Sequence, residues 1–590
     1  MIAWPVLATA LVLAVLFWLL VTDRVAPAVA VLGASIALML LGVTTPQQAF
    51  AGFSNPAPIT VAALYVVARA VEKTGAIQPL IRGVLGDSVT KRTALLRVLL
   101  PTAGASAVLN NTPIVAMLAP QVADWAERRG EPVSWYLMPI SFAAILGGTA
   151  TVIGTSTNLV VSGLLEAHGL PPIGLFEITP VGVVLALVGI GMLVLLAPVL
   201  LPDRRGVRRR IEEEYREFVT DMVVEHGGPL DGRTVQGAGL RHLPDVFLAQ
   251  IERAGDVLAP AAPDTVLRGG DRLSFVGRAD LAVGLQSTPG LRSSAHLEMA
   301  TLGDRGHTFF EAVVSGTSPL INRTLQDVGF RARYQAVVVA IHRSGERVHA
   351  KLGTVKLRAG DTLVLLGDDG WRERWRDRSD FLLVSPLGAR PPARTKRATL
   401  VAVITAAIIV VAGAGLMPIL HASLVGAFLL VATRVLTPSE ARNAIDLDVI
   451  IVIAGAFGLA AALESSGLAE IAASGMLQAF TPFGPYGLLF GVVLATVIFT
   501  ELITNNAAAV LVFPMAIALA AASGLDPRPF AIGVMFAASA SFLTPIGYQT
   551  NMMVYGRGGY RFSDYARLGF PLTLLVVTLV TVLVPRIWSF

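Results

Sequence analysis

The sequence predicts an all-α polytopic membrane protein made of two inverted repeats with re-entrant hairpins, and two small α+β domains inserted between them. Three observations predict this. Apolar runs of membrane length are confined to the two ends of the chain. The charged middle repeats itself at an interval of 90 residues. Polar loops in the first end recur in the second at intervals of 392 to 394 residues.

The membrane-spanning ends follow from composition. Of 590 residues, 54% are hydrophobic and only 15% charged, and the mean hydropathy is +0.67. Runs such as VLATALVLAVLFWLLV (6–21) and AVAVLGASIALMLLGV (28–43) recur through both ends. A bilayer-crossing helix needs roughly 20 apolar residues, so a soluble helical core is excluded and about eleven spans are expected. The first run lacks the basic n-region of a signal peptide and a second span follows it at once, so it reads as a retained span. The chain has no cysteine, which excludes disulfides and thiolate metal sites. The pI of 9.6 does not point to nucleic acid, because the basic residues cluster beside membrane spans, where they set orientation.

The spans stop near residue 202 and restart near 399. The segment between opens with DRRGVRRR (203–210) and closes with ARPPARTKR (389–397); such basic flanks stay on the cytoplasmic side. Within it, PLDGRTVQGAGLR (229–241) matches PLINRTLQDVGFR (319–331), and VLRGGDRLSFVG (266–277) matches VKLRAGDTLVLLG (355–367). Pro229 and Pro319, Gly239 and Gly329, Asp271 and Asp361, and Gly277 and Gly367 are each 90 residues apart. A constant offset across ungapped blocks marks two copies of one small domain, and the alternation in IERAG, DRLSFVG, AVVVAIHRSG and DTLVLLG reads as strands joined by glycine-containing turns. The chain therefore divides into a first membrane repeat (1–202), two copies of the small domain (203–290 and 291–398, the latter with linkers) and a second membrane repeat (399–590). The PLxxRT…G(L/F)R…LRxGD pattern resembles the TrkA-C domain, the regulatory domain of potassium-conductance regulators. That resemblance implies a regulatory or dimerising module open to a cytoplasmic small molecule. No G-x-G-x-x-G loop follows a strand in this segment, so it does not extend to NAD or ATP binding. A purely structural spacer is the alternative.

The larger repeat carries the chemistry. TPQQAFAGFSNPAPITVAALYVVARAVEKTGAI (45–77) matches TPSEARNAIDLDVIIVIAGAFGLAAALESSGLAE (437–470): Pro46 and Pro438, Glu72 and Glu464, and Gly75 and Gly467 are each 392 apart. NNTPIVAMLAP (110–120) matches TNNAAAVLVFP (504–514), with Asn111 and Asn505 394 apart. TVIGTSTNLVV (151–161) matches TPIGYQTNMMV (544–554), with Gly154 and Gly547, Thr157 and Thr550, and Asn158 and Asn551 each 393 apart. Such duplication is typical of secondary transporters, which bind substrate and coupling ions at corresponding broken segments of the two halves. Irregular backbone at membrane depth persists only where protein or a water-filled cavity satisfies it. Each break exposes a helix N-terminus, which favours an anion. It also frees carbonyls which, with Asn and Thr side-chain oxygens, suit a hard cation such as sodium. The bland alternative, polar residues gluing helices together, fits one lone asparagine better than matched loops at constant offsets.

These motifs resemble the divalent anion:sodium symporter family, within the wider ion-transporter group that also holds arsenite and citrate permeases. That family carries two Ser-Asn-Thr motifs at hairpin tips. Asn110, Asn111 and Thr112 stand where the first belongs, and Thr504, Asn505 and Asn506 where the second does; the central Asn is kept both times and the outer residues depart. The loops around Gly154-Thr155 and Asn158, and around Gly547 and Asn551, fit the family's later ion loops, although Tyr548-Gln549 is unusual. The resemblance implies a sodium-coupled symporter and an elevator-type homodimer in a bacterial-type inner membrane. Family members with a regulatory insert are largely associated with sulfate, others with dicarboxylates or citrate. On this basis Asn111, Thr112, Thr155, Asn505, Asn506 and Tyr548 are candidate substrate ligands. Asn110, Asn111, Gly154, Asn158, Thr504, Asn505, Gly547 and Asn551 are candidate sodium ligands. Na+ is the expected coupling ion, and no organic cofactor or catalytic residue is expected.

Other classes were weighed. A potassium channel needs a row of carbonyls, and in the nearest string, TPFGPYG (481–487), two prolines spoil that row. No HExxH, G-x-S-x-G or cysteine nucleophile supports an enzyme. A proton-coupled carrier stays open, because Glu72, Asp446, Asp448, Glu464 and Glu501 lie near or within spans, where acids often relay protons. The hairpins are expected at roughly 80–111 and 482–506. With the basic loop LIRGVLGDSVTKR (80–92) in the cytoplasm, the first enters from inside and the second from outside.

Overall fold

The computed structural model describes the chain except residues 1–3, 23–24, 77–89, 205–218, 241–245, 254–255, 259–261, 278–287, 294–306 and 387–396, and ten positions in the loops of the second small sheet (316–317, 344–345, 349, 351, 369, 376–377 and 379). The start of the first expected hairpin and most of both basic flanks fall outside the described residues. Two compact units emerge. One comprises residues 1–203, 391–555 and 560–590; the other comprises 204–390 together with the four residues Gly556–Gly559.

The first unit is helical. Six of its helical segments are long and apolar enough to cross a membrane: Pro46–Thr74, Thr179–Leu200, Leu447–Ser466, Leu468–Leu502, Asn505–Ser523 and Phe562–Ile587. Five shorter apolar helices accompany them: Trp4–Leu20, Pro27–Leu40, Ser134–Gly148, Ala398–Gly413 and Ile419–Ala432. Outward-facing Trp4, Leu11, Leu40, Leu416 and Phe428 are exposed apolar side chains, as surfaces in contact with lipid require. By contrast, every residue of Ser134–Gly148 but Trp135 and all but the first two of Pro527–Ala538 are buried. Helices enclosed on all sides belong to the interior of a membrane protein.

Local signals explain where these helices begin and end. Thr45 and Thr437 each cap a short helix starting with proline, Pro46–Phe50 and Pro438–Ala444, through a capping box completed by Gln48 and Glu440. Asn55 and Asp446 then cap the long helices Pro56–Thr74 and Leu447–Ser466, which end at Gly75 and Gly467 in the left-handed conformation that glycine adopts without penalty. Small residues let the helices approach closely: a Cβ on Gly458 would lie 2.4 Å from the Ala49 carbonyl oxygen, and the buried Ser35 hydroxyl donates to the Gly455 carbonyl at 2.8 Å.

The hairpin limits differ from those expected. The helices are Lys91–Ser106 followed by Asn111–Arg128, and Gly484–Leu502 followed by Asn505–Ser523. The asparagine motifs therefore lie at the bends between helices and do not close the hairpins at 111 and 506. The reason is local: Asn110 and Thr504 adopt extended backbone and start new helices, and a proline at position 113 is tolerated within a first turn.

The second unit holds two five-stranded antiparallel sheets. In the first, β1 (Val219–Val224), β2 (Val246–Arg253), β3 (Asp256–Leu258), β4 (Arg272–Gly277) and β5 (Leu291–Ser293) take the order β3-β2-β4-β1-β5. In the second, β6 (His307–Val314), β7 (Ala336–Arg343), β8 (Glu346–Arg347), β9 (Thr362–Asp368) and β10 (Phe381–Pro386) take the order β10-β6-β9-β7-β8. Read from opposite edges the two orders coincide. Even the irregularities recur: the register shift falls between Leu248 and Gln250 in one sheet and between Val338 and Ala340, ninety residues on, in the other. So does a bidentate ion pair, Arg253 to Asp271 at 2.8 and 2.7 Å and Arg343 to Asp361 at 2.8 and 2.7 Å. Both aspartates are buried, and their hydrogen bonds raise each guanidinium pKa above its ordinary value. Strand β5 starts at residue 291, where the sequence placed the second copy, yet it pairs with β1; a three-residue edge strand carries too little pattern to be assigned from sequence. Also within this unit, Arg557 pairs with Glu311 at 3.0 Å, both side chains almost fully buried.

Candidate functional site: two helix bends and two broken helices

The site is assembled from four interruptions of helix in the first unit. Two are the bends before Asn111 and Asn505. The N-cap residues there, Asn110 and Thr504, make no side-chain capping hydrogen bond, so the first N–H groups of both helices keep their capacity to bind a ligand. The Thr504 hydroxyl is buried and has no hydrogen-bond partner among the described residues.

The other two interruptions separate Ser134–Gly148 from Ser156–Ala167, and Pro527–Ala538 from Gln549–Tyr555. The same side chain braces each gap. Asn158 Nδ2 donates to the carbonyls of Gly148 (3.2 Å) and Thr151 (2.8 Å). Asn551 Nδ2 donates to those of Ser541 (2.9 Å) and Thr544 (3.3 Å), 393 residues on in every case. Both asparagines are fully buried. Their oxygens differ: Asn551 Oδ1 accepts from the Ser141 hydroxyl at 2.7 Å, whereas Asn158 Oδ1 is buried with no partner among the described residues. The gap glycines are required by packing. A Cβ on Gly154 would lie 2.4 Å from the Gly148 carbonyl oxygen, and one on Gly547 would lie 2.0 Å from Ser541 Oγ and 2.9 Å from the Thr500 carbonyl oxygen.

These pieces converge on Tyr548. Its hydroxyl lies 2.6 Å from the Asn111 carboxamide and 3.0 Å from Thr155 Oγ1, with the Asn505 side chain close by. The orientation of Asn111 follows from its neighbours. With its oxygen toward Tyr548, its nitrogen donates to the carbonyls of Ala144 (3.0 Å) and Gly154 (3.2 Å) and to Ser106 Oγ (2.5 Å). Asn111 thus ties the first bend to the first broken helix. Asn505 Nδ2 donates to Thr157 Oγ1 at 2.9 Å, and Asn506 Oδ1 accepts from Ser156 (3.1 Å) and Thr157 (3.3 Å), tying the second bend to that same helix. Thr112 Oγ1 donates to Gln549 Oε1 at 3.3 Å, which links the first bend to the second broken helix.

Hydrogen bonds thus join Asn111 and Thr155 to Tyr548, Asn505 and Asn506 to the start of the first broken helix, and Thr112 to Gln549, with Asn110, Gly154, Thr504 and Gly547 in the adjoining backbone and Asn158 and Asn551 in the first turn of the helices that follow the gaps. Sequence reasoning missed Tyr65, which lies beside Asn110, and Ser106 and Ser141; single hydroxyls inside apolar helices give no signal of their own. It named Glu501 without its partner. That carboxylate accepts from the backbone N–H groups of Phe542 (2.7 Å), Leu543 (2.8 Å) and Thr544 (3.0 Å), and so holds the second gap. Three of the other acids named as candidate proton relays have partners: Glu72 pairs with Arg69 at 2.9 Å, Glu464 with His168 at 2.5 Å, and Asp446 caps a helix by accepting from the Val449 N–H.

Comparison with known proteins places this arrangement. The citrate transporter family model matches residues 17–531 and 483–589. An uncharacterized transporter of Synechocystis is 37% identical over 602 residues, covering 99% of this chain and 96% of its own. An uncharacterized transporter of Escherichia coli is 28% identical, covering 98% of both chains. Sodium/sulfate cotransporter 1 of Chlamydomonas reinhardtii is 25% identical, covering 90% of this chain and 83% of its own. Among solved structures, the YdaH transporter of Alcanivorax borkumensis matches with a TM-score of 0.44 and 13% identity over 99% of this chain and 98% of that one, a likeness too distant to bear on the site. The family and these relatives are transporters and not enzymes, and the chain with its apolar helices is a multi-pass membrane protein. It belongs to the citrate transporter family, within the divalent anion:sodium symporter group.

Proposed function

We propose that the protein is a sodium-coupled symporter of a small divalent anion, sulfate or a dicarboxylate, bound between the two helix bends. The observation that carries this reading is that Asn111, the first residue of one uncapped helix, hydrogen-bonds the Tyr548 hydroxyl, with Asn505, the first residue of the other uncapped helix, close by. Two positive dipole ends aimed at one point stabilise an anion without a fixed cationic side chain. The name of the Chlamydomonas sodium/sulfate cotransporter supports the same substrate class.

For the cation, the donor set is neutral oxygen, which suits a hard monovalent ion such as sodium. The unpartnered Asn158 Oδ1 is an acceptor whose burial costs about 1–3 kcal/mol unless something occupies it, and a sodium ion held there with the carbonyls of the first gap removes that cost. In the second gap Asn551 Oδ1 is engaged by Ser141, which can donate to Thr550 Oγ1 at 2.8 Å instead. Binding of both ligands would let the bends and broken helices move as one body against the first two spans of each half, in a homodimer. The two sheets, read as TrkA-C-like cytoplasmic domains, would bias the transport equilibrium, provided their ligand binds the two states unequally.

The test is reconstitution of the full chain in liposomes with labelled sulfate, succinate and citrate, with and without a sodium gradient and with a proton ionophore. Sodium-driven uptake that is indifferent to the ionophore is expected. Uptake that needs no sodium and collapses with the proton gradient would establish the proton-coupled alternative.

A further inference from the structure

Thr155 and Tyr548 occupy corresponding positions in the two broken helices. Each directly follows the gap glycine, Gly154 or Gly547, and they lie 393 residues apart. In the structure the two counterparts meet hydroxyl to hydroxyl at 3.0 Å. The pairing is unequal, because one hydroxyl sits on a short threonine and the other at the far end of an aromatic ring. That ring brings its oxygen within hydrogen-bonding distance of Asn111, with Asn505 close by. Tyr548 is only 7% exposed, and its hydroxyl has two hydrogen-bond partners, Asn111 and Thr155, so it is not an apolar filler that phenylalanine would replace without loss.

We propose that Tyr548 is the specificity-determining residue of the site and restricts it to a compact tetrahedral oxyanion, excluding anions with two carboxylates on a carbon chain. The inference rests on the symport reading above. A dicarboxylate would place one carboxylate at each helix N-terminus with its chain between them, and the tyrosine ring and hydroxyl occupy that span. A tetrahedral oxyanion needs no such span. All its oxygens surround one centre, so it can take N–H groups from both helix starts and the Tyr548 hydroxyl as a further donor. With Asn111 oriented as above, its nitrogen is committed to the Ala144 and Gly154 carbonyls and to Ser106. The tyrosine hydroxyl is then a side-chain donor at the first bend that can turn from Asn111 Oδ1 to a ligand. Its two functions separate chemically. The ring excludes length, and the hydroxyl contributes a hydrogen bond, whose loss in a site built around it costs affinity steeply.

The experiment uses the full-length reconstituted protein, wild type, Tyr548→Thr and Tyr548→Phe, with labelled sulfate and labelled succinate at saturating sodium. Wild type is expected to take up sulfate and to resist competition by succinate. Tyr548→Thr, which gives both gaps the same residue, should admit succinate and lower the sulfate-to-succinate ratio at least about ten-fold. Tyr548→Phe should keep succinate out and raise the KM for sulfate about ten-fold, with the half-saturating sodium concentration unchanged. The inference is overturned if wild type carries succinate as well as sulfate, or if folded Tyr548→Thr still excludes succinate. Should the threonine variant not fold, Tyr548→Phe decides alone, an unchanged KM for sulfate overturning the proposal. If wild type takes up neither anion under a sodium gradient, the symport reading itself fails, a result distinct from sulfate uptake that the variants leave unaltered.

Discussion

Replacing Asn158 and Asn551 in turn by alanine separates ion binding from bracing. Both side chains make the same two backbone contacts, at 3.2 and 2.8 Å in one gap and 2.9 and 3.3 Å in the other. Each substitution strips two buried carbonyls of a donor, and a buried acceptor left unpaired costs about 1–3 kcal/mol. In the first gap the Thr151 carbonyl keeps the Gly154 N–H at 3.3 Å, so the Asn158→Ala cost should lie toward the lower end. The oxygens decide the difference. Asn158 Oδ1 has no partner among the described residues, whereas Asn551 Oδ1 holds the Ser141 hydroxyl. A contact to a charged group contributes about 1.5–3 kcal/mol, so loss of the Asn158 oxygen should raise the half-saturating sodium concentration about 10- to 150-fold. Asn551→Ala should change it far less while lowering thermal stability at least as much. The assays are a sodium titration of anion uptake in liposomes and thermal unfolding of the same samples in detergent. An Asn551→Ala shift in sodium dependence equal to or larger than that of Asn158→Ala would refute the assignment of the open cation site to the first gap.

Three further outcomes are expected. Glu501→Gln replaces a carboxylate that accepts three backbone N–H groups with a side chain carrying one acceptor oxygen, so it should lower thermal stability by about 1–3 kcal/mol or more and leave the sodium dependence of any residual uptake in place. Gly154→Ala forces a Cβ to 2.4 Å from a backbone oxygen, which no side-chain rotation relieves, and should abolish uptake even where the protein still purifies as a folded species. In the second sheet, the Thr324 hydroxyl and N–H hold the Asp327 carboxyl below its ordinary value. A depressed carboxyl contributes stability above its unfolded pKa of about 3.9 and loses it as pH falls through the folded value. The protection of β6 and β9 amides relative to their intrinsic exchange rates should therefore fall with acid in the wild-type chain, and Asp327→Asn should remove that part of the pH dependence.

The sequence by itself determined which segments are apolar enough for a membrane, that the middle is different in kind, and which positions correspond between halves and between the two small domains. These properties are written in composition and in constant offsets, and such offsets survive because each copy must satisfy the same local backbone. The correspondence of Pro46 with Pro438, Gly75 with Gly467, and Gly154 with Gly547 was legible this way, since each answers a requirement within its own few residues. What the tertiary structure decided is which polar groups meet. No offset shows that Tyr548 reaches Asn111 across 437 positions, that Ser141 occupies the oxygen of Asn551 while that of Asn158 is left over, or that Glu501 gathers three N–H groups from the gap beyond it. Two copies with matching local patterns are equivalent in sequence, but they are buried against different neighbours. A buried oxygen acquires its function from whichever donor, ion or anion the folded chain leaves within reach of it.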